Sequence, residues 1–355
     1  MNRLFTGSFT NAIKQIPALY VNKQNSFVRK STTTTSISSN IDSVKDLSRP
    51  LPPYLYNDPS VYQLEPGPIV PINSNNYGAA LYGNQSLLKC QYHAWLYDSR
   101  DGALKATPNF SYKFKSDEKK CLSLKKINIE IFAEQFIFVN LIEMKEKLSI
   151  NTLFSDLLND MLAFPLNEYR HFESQCHLIN CNWKTYAENY QEGYHIQSIH
   201  PLLNKTIQSK QYLVTNKNNI YSIHYAPSRN HESGQDKLLW VFIYPNLAIN
   251  LYERGYSIEH ILPIGKDRTI LSYDFFVRSS DDESQMRDRM ADAKEAMLRT
   301  LEVTNEDKMI CEQVQNNLDA GIYKPGYLSP SMENGVQFFQ NRIRNELKHT
   351  NLQLE

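Results

Sequence analysis

No run of residues in this chain approaches the ~18 consecutive apolar side chains that a membrane-spanning helix needs. The best candidate, LLWVFIYPNLAINLY from Leu238, is short and is interrupted by Pro245, Asn246 and Asn250. No membrane partner is expected. Charge of one sign is lacking as well: 38 Lys and Arg stand against 38 Asp and Glu. That balance gives no basis for a nucleic-acid groove and favours a small-molecule partner. A paired cysteine framework is missing, since Cys90, Cys121, Cys176, Cys181 and Cys311 are odd in number. This excludes a disulfide scaffold and favours a reducing compartment with thiols free for ligation.

Acids are absent before Asp42, where Arg3, Lys14, Lys23, Arg29 and Lys30 lie among many Ser and Thr. This is the composition of an organellar transit peptide, with a disordered polar tail as the alternative. The expected location is the mitochondrial matrix, or otherwise the cytoplasm. The remaining chain is long enough to bury a sizeable core.

Beyond this tail the chain is patterned. The proline-rich RPLPPYLYNDPS reads as extended chain wrapping over a domain. SLLKCQYHAWLYDSRDGAL contains a Cys/His turn and a hairpin signal at DSRDG. INIEIFAEQFIFVNLIEM, the stretch from Leu238 and HILPIGKDRTILSYDFFVRSS read as antiparallel strands, whereas NTLFSDLLNDML and the charged region from about Asp281 to Leu318 read as helices. Strands and helices are grouped rather than strictly alternating, which predicts an α+β fold. The domains are expected at 1–45 (tail), 46–118 (a small all-β unit) and 119–355 (an antiparallel-sheet domain with flanking helices).

The stretch richest in chemistry is CNWKTYAENYQEGYHIQSIHP, residues 181–201. On a regular helix His195 and His200 lie ~140° apart and would not share a face. Pro201 pushes His200 out of the helical region, so that its side chain can turn toward a common point, while Glu192 shares the face of His195. Two imidazoles and a carboxylate on one side of an ion make the facial triad of non-haem iron oxygenases. Two ordinary histidines near a helix end, one in the core and one exposed, have the same spacing. In VTNEDKMICEQVQNNL, Thr304 reads as an N-cap with Asp307 at the third helical position, and Ile310, Val314 and Leu318 as the buried stripe. A helix N-terminus would keep Asp307 ionised.

NWKTYAENYQEGYHIQSIHP resembles the mononuclear-iron motif of the Rieske-type ring-hydroxylating and choline-oxidising oxygenases. The resemblance implies His195 and His200 as iron ligands and Glu192 as the catalytic link to a Rieske cluster on a neighbouring subunit. The stretch around Glu306 and Asp307 is similar to the family's E-D-x-x-x-x-E-x-x-Q signature, which implies Asp307 as third ligand, with Glu306 as the fallback. CQYHAW resembles the second half of a Rieske [2Fe-2S] site and nominates Cys90 and His93. The first half, aligned on NSNNYGAAL, has Ser74 and Asn76 where Cys and His belong, so the Rieske-like unit reads as truncated. KATPNF, FIYPNLAINLY and ICEQVQNNLDAGIYKPGYLSPSMENGVQFF are most like the choline- and carnitine-oxidising members.

The implied fold is a helix-grip catalytic domain holding mononuclear Fe(II), preceded by the truncated cluster domain. The implied partners are O2, a reductase or ferredoxin, and two further copies in a homotrimer. The implied activity is monooxygenation of choline or a similar quaternary ammonium compound, toward betaine aldehyde and glycine betaine. Aromatic-ring hydroxylation and a catalytically silent relative are the alternatives. The 22 Tyr, 16 Phe and 3 Trp supply ample faces for cation–π contact with an ammonium group.

Overall fold

The computed structural model describes residues 50–51, 56, 81–83, 86–90, 92–125, 128–140, 149–162, 164–229, 237–252 and 255–347. The Cys/His turn is part of a four-stranded antiparallel sheet formed by β1 (Leu81–Gly83), β2 (Leu87–Cys90), β3 (Leu96–Asp98) and β4 (Leu104–Ala106) in sequential order. The DSRDG turn closes the β3–β4 hairpin. There Gly102 takes φ of 73°, and a Cβ at that position would stand 2.9 Å from Leu124 Cβ, so a side chain is excluded on both counts. Asp98 pins the turn by pairing with Arg100 and Lys105 at 3.1 and 3.2 Å.

After α1 (Ser116–Leu122), the INIEIF and FIFVN segments form the hairpin β5 (Asn128–Phe132) and β6 (Phe136–Asn140). Helices α2 (Ile150–Leu153) and α3 (Ser155–Met161) lead into β7 (Tyr169–Ile179). The iron-type motif then supplies α4 (Trp183–Tyr190), α5 (Ile196–Ile199) and α6 (Pro201–Thr206). Next comes a meander: β8 (Leu213–Lys217), β9 (Tyr221–Pro227), β10 (Lys237–Ile243), β11 (Leu247–Tyr252), β12 (Gly255–Gly265) and β13 (Arg268–Arg278). These pair in order, and β7 closes the far edge beside β13, giving a seven-stranded antiparallel sheet. Helices α7 (Glu283–Asp319) and α8 (Asn334–Leu347) complete the chain. The fold is α+β, as the grouped pattern predicts.

Both faces of this sheet are covered, which explains why β12 is buried at consecutive rather than alternate positions from Gly255 to Ile261. On one face Phe132, Phe136 and Phe138 of the β5–β6 hairpin, with Phe154, Leu157 and Met161, pack on Val241, Ile249 and Ile258. On the other, Trp183 and Tyr186 of α4, Cys311 and Leu318 of α7, and Phe339 and Ile343 of α8 pack on Phe242, Ala248 and Tyr273. Each such side chain contributes roughly 1.5–3 kcal/mol on leaving water. The proline-rich entry joins this second layer through Leu51 and Tyr56, both buried.

Two local expectations are corrected. Thr304 is not an N-cap: α7 is one continuous helix of 37 residues whose N-cap is Asp282, which accepts from the Gln285 amide at 2.7 Å. Residues 283–303 contain no Gly or Pro to break it, and the Thr304 hydroxyl bonds back to the Thr300 carbonyl at 2.9 Å. Asp307 therefore lies in the helix interior and gains nothing from a helix N-terminus. The buried stripe is also displaced, running through Thr304, Asp307, Cys311, Gln315 and Leu318 rather than Ile310 and Val314.

Candidate active site

The N-W-K opening is structural. Asn182 caps α4 by accepting from the Lys184 amide at 3.0 Å, and its Nδ2 donates to the Tyr56 and Lys266 carbonyls, both at 2.7 Å. Its own amide donates to Gln315 Oε1 at 2.8 Å, which ties α4 to α7. Trp183 meets Phe339 edge to face, and the Lys184 ammonium lies 5.6 Å from the Tyr56 and Trp183 ring centres. These contacts set the direction in which the next residues project.

Residues 181–201 are not one helix. The α4 helix ends at Tyr190, a turn holds Glu192, and His200 separates α5 from α6 at φ −112°, ψ 76°, with Pro201 as the first residue of α6. Thus Glu192 meets His195 through a turn and not along a shared helical face: it accepts from the His195 amide at 3.2 Å and bonds His195 Nδ1. Gly193 makes the turn possible, because a Cβ there would stand 2.5 Å from the Tyr212 ring.

Here three donor atoms converge. His195 Nε2 lies 3.1 Å from His200 Nε2, His200 Nε2 lies 3.0 Å from Asp307 Oδ1, and His195 Nε2 lies 3.6 Å from the same oxygen. Metal–ligand bonds of about 2.1 Å at right angles put neighbouring donors about 3 Å apart. The outer ring atoms are committed elsewhere: Glu192 takes His195 Nδ1, and Glu306 takes His200 Nδ1 at 2.7 Å. With carboxylates accepting at both Nδ1 atoms, both Nε2 lone pairs face the centre, the tautomer a metal ligand needs. Asn189 donates to Asp307 Oδ1 at 2.7 Å and orients it. Burial lowers the proton affinity of His200, but the Asp307 and Glu306 carboxylates outweigh this and raise its pKa, so the pocket draws positive charge to this point. The donor set fits a divalent cation, and it is the one such cluster among the described residues.

The motif and α7 thus bring His195, His200 and Asp307 together, with Glu192 beside them. Glu306 points to the far side of His200. Sequence reasoning missed its place as an orienting carboxylate, although a helix alternates the directions of adjacent residues by about 100°.

The cluster opens into a cavity of about 640 Å³. Its walls include Tyr190, Tyr212, Trp240 and Tyr252, and Glu259 lies in its lining. Behind the aromatic wall His224 bonds the Tyr212 hydroxyl and Ser222 Oγ, both at 2.9 Å, and burial lowers its pKa to about 3, so it is neutral. Sequence reasoning also missed Glu259. Its signal was a lone acid in GYSIEHIL, an otherwise uncharged strand flanked by apolar residues.

Cys90 ends β2 and His93 is exposed in the turn before β3, where the Cys90 amide donates to the Trp95 carbonyl at 2.8 Å. The aligned positions Ser74 and Asn76 lie outside the described residues, as does the proposed transit segment. Cys121 is exposed on α1.

Residues 166–349 match the family model described as ring hydroxylating alpha subunit (catalytic domain). The chain is 26% identical over 268 residues to the chloroplastic choline monooxygenase of Beta vulgaris, covering 72% of this chain and 58% of that relative's length. It resembles the solved quaternary ammonium Rieske monooxygenase CntA with TM-score 0.65 at 18% identity, over 86% of this chain and 97% of that one. It resembles naphthalene 1,2-dioxygenase from Rhodococcus sp. with TM-score 0.60 at 16% identity, over 84% and 94%.

Proposed function

The chain belongs to the ring-hydroxylating oxygenase alpha-subunit family, and on that basis we propose that it is a non-haem iron monooxygenase acting on choline or a similar quaternary ammonium compound. The observation that carries the reading is the convergence of His195 Nε2, His200 Nε2 and Asp307 Oδ1 at the side of an aromatic-walled cavity. His195, His200 and Asp307 would hold Fe(II), which when bound supplies O2 activation for hydroxylation of a substrate C–H bond.

Glu192 and Glu306 hold the Nδ1 protons and keep each imidazole aimed inward. Tyr190, Tyr212, Trp240 and Tyr252 line the cavity, and aromatic faces attract an ammonium group. Hydroxylation of one C–H bond by O2 also forms one water, and so consumes two electrons from a reductase or ferredoxin partner and two protons from solvent. The sequence has Cys90 and His93 but Ser74 and Asn76 as their counterparts, and neither of these supplies thiolate or imidazole. The donors do not fit a [2Fe-2S] cluster.

That half-set of donors favours a second reading, a catalytically silent relative that retains the fold. The test is anaerobic loading with Fe(II), followed by iron analysis and choline hydroxylation driven by hydrogen peroxide, which supplies the oxygen atom and both electrons without a cluster. The proposal expects one tightly held iron per chain and hydroxylated choline. Iron without product would favour the silent relative, and hydroxylation of aromatic acids in place of choline would move the substrate class.

A further inference from the structure

We propose that Glu259, which lines the same cavity as the aromatic side chains, is the counter-ion for the ammonium group of the substrate and a specificity-determining residue. The inference rests on the quaternary-ammonium reading above and adds the residue that recognises the charge.

Strand register puts Glu259 on the helix-covered face of the sheet. It lies opposite Ala248 on β11 and Tyr273 on β13, in a cross-strand row that continues through Phe242 and Ser222. Every other member of that row is uncharged. Glu259 is 2% exposed, and its Oε1 has no hydrogen-bond partner. Tyr273, Tyr186 and Asn250 hydrogen-bond the carboxyl and favour its charged form, while Asp307, another acid, opposes it, and no cation is among the described groups acting on it. The cations in the cavity lining, Lys205 and Arg299, are exposed, and Arg299 is already paired with Glu295.

Burial raises the Glu259 pKa to about 7, so without a cation the acid takes up a proton near neutrality, and an arriving positive charge favours the carboxylate. A tetraalkylammonium cannot donate hydrogen bonds. It is therefore recognised by an undirected negative charge together with π faces, and the cavity combines both. A neutral or anionic aromatic substrate would leave Glu259 uncompensated.

The test is calorimetric titration of the 355-residue chain with choline and with 3,3-dimethylbutan-1-ol, its uncharged isostere, for wild type and for Glu259→Gln and Glu259→Asp. Wild type should prefer choline. Glu259→Gln should weaken choline binding by about thirtyfold or more, while leaving the alcohol unchanged or improved. Glu259→Asp should keep part of the preference. Thermal unfolding checks the fold, and Glu259→Gln should be at least as stable as wild type because it removes a buried acid. If a folded Glu259→Gln binds choline as wild type does, the counter-ion role is overturned while the substrate class stands. If wild type prefers the alcohol to choline, the quaternary-ammonium reading is overturned, and the role of Glu259 with it.

Discussion

Glu306 and Asp307 are neighbours in sequence and both are carboxylates, yet they meet opposite sides of the same imidazole: Asp307 faces His200 Nε2 and Glu306 faces Nδ1. Their substitutions should therefore differ in kind. Asp307→Ala, like His195→Ala or His200→Ala, should abolish tightly bound Fe(II), because two remaining ligands do not hold a labile ion against water. Glu306→Gln should retain iron with affinity lowered by roughly ten- to a hundredfold, the usual effect of losing an outer partner. Iron titrations of the four variants check this, and full loading of Asp307→Ala would place the third ligand elsewhere. Glu192→Gln keeps size and removes charge. Iron should stay bound with affinity lowered to a similar degree, since Glu192 holds His195 as Glu306 holds His200; unchanged affinity would leave Glu192 as a structural acid of the turn.

Among the elements, α8 meets the motif at its least forgiving point. A Cβ on Gly335 would stand 2.1 Å from the Gln191 carbonyl oxygen, one residue before Glu192. Backbone offers no flexible atom that can move aside. Gly335→Ala should therefore destabilise the fold by about 1–3 kcal/mol, the range for overpacking, and should weaken iron binding by displacing the Glu192 turn. Differential scanning calorimetry and iron titration read the two effects. Unchanged values in both would show that α8 is free to shift away from α4. The α7 helix makes a contrasting case. Its 37 residues carry Asp307 in the interior, with Gln315 further along gripping the Asn182 amide. Asp307 is thus held against the cap of the helix that leads to His195 and His200.

For the molecule as a whole, Glu188 joins three distant segments: its Oε1 accepts from the Tyr56 hydroxyl at 2.6 Å and from Gln340 Nε2 at 3.0 Å. Burial raises its pKa from 4.5 to about 7, against the lowering effect of those bonds. The folded state then binds more protons than the unfolded chain between about pH 4.5 and 7, so this group's contribution to stability is present at low pH and lost as pH rises through 7. Glu188→Gln fixes the uncharged form. Its melting temperature relative to wild type should rise by a few degrees between about pH 5 and pH 8, and a difference independent of pH would show that Glu188 is ionised throughout. Fe(II) at about a hundred times its dissociation constant should add on the order of 2.7 kcal/mol to the folded state. A chelator should remove that stabilisation, and no shift in melting would mean that iron binds no better to the folded chain.

Features that depend on local chain chemistry were already legible in the sequence. The grouped strand patterns gave the antiparallel α+β architecture and Pro201 broke the helix at His200, because turn and helix geometry act over a few residues; spacing alone left His195 and His200 open to an ordinary reading, and it was the resemblance of the whole motif that nominated them as ligands. The interior location of Asp307 in a long helix was not legible, since Thr304 and Asp307 carry a capping pattern that only the absence of a chain break overrides. Nor could the division of labour between Glu306 and Asp307 be read, because it depends on where α7 lies against His200. Glu259 shows the same limit most clearly. In the chain it is one acid in a strand, far in sequence from both histidines and from Asp307, with no local interaction to link it to them. Only the pairing of β11, β12 and β13 under α4 and α7 turns it into a buried carboxylate at the cavity they share.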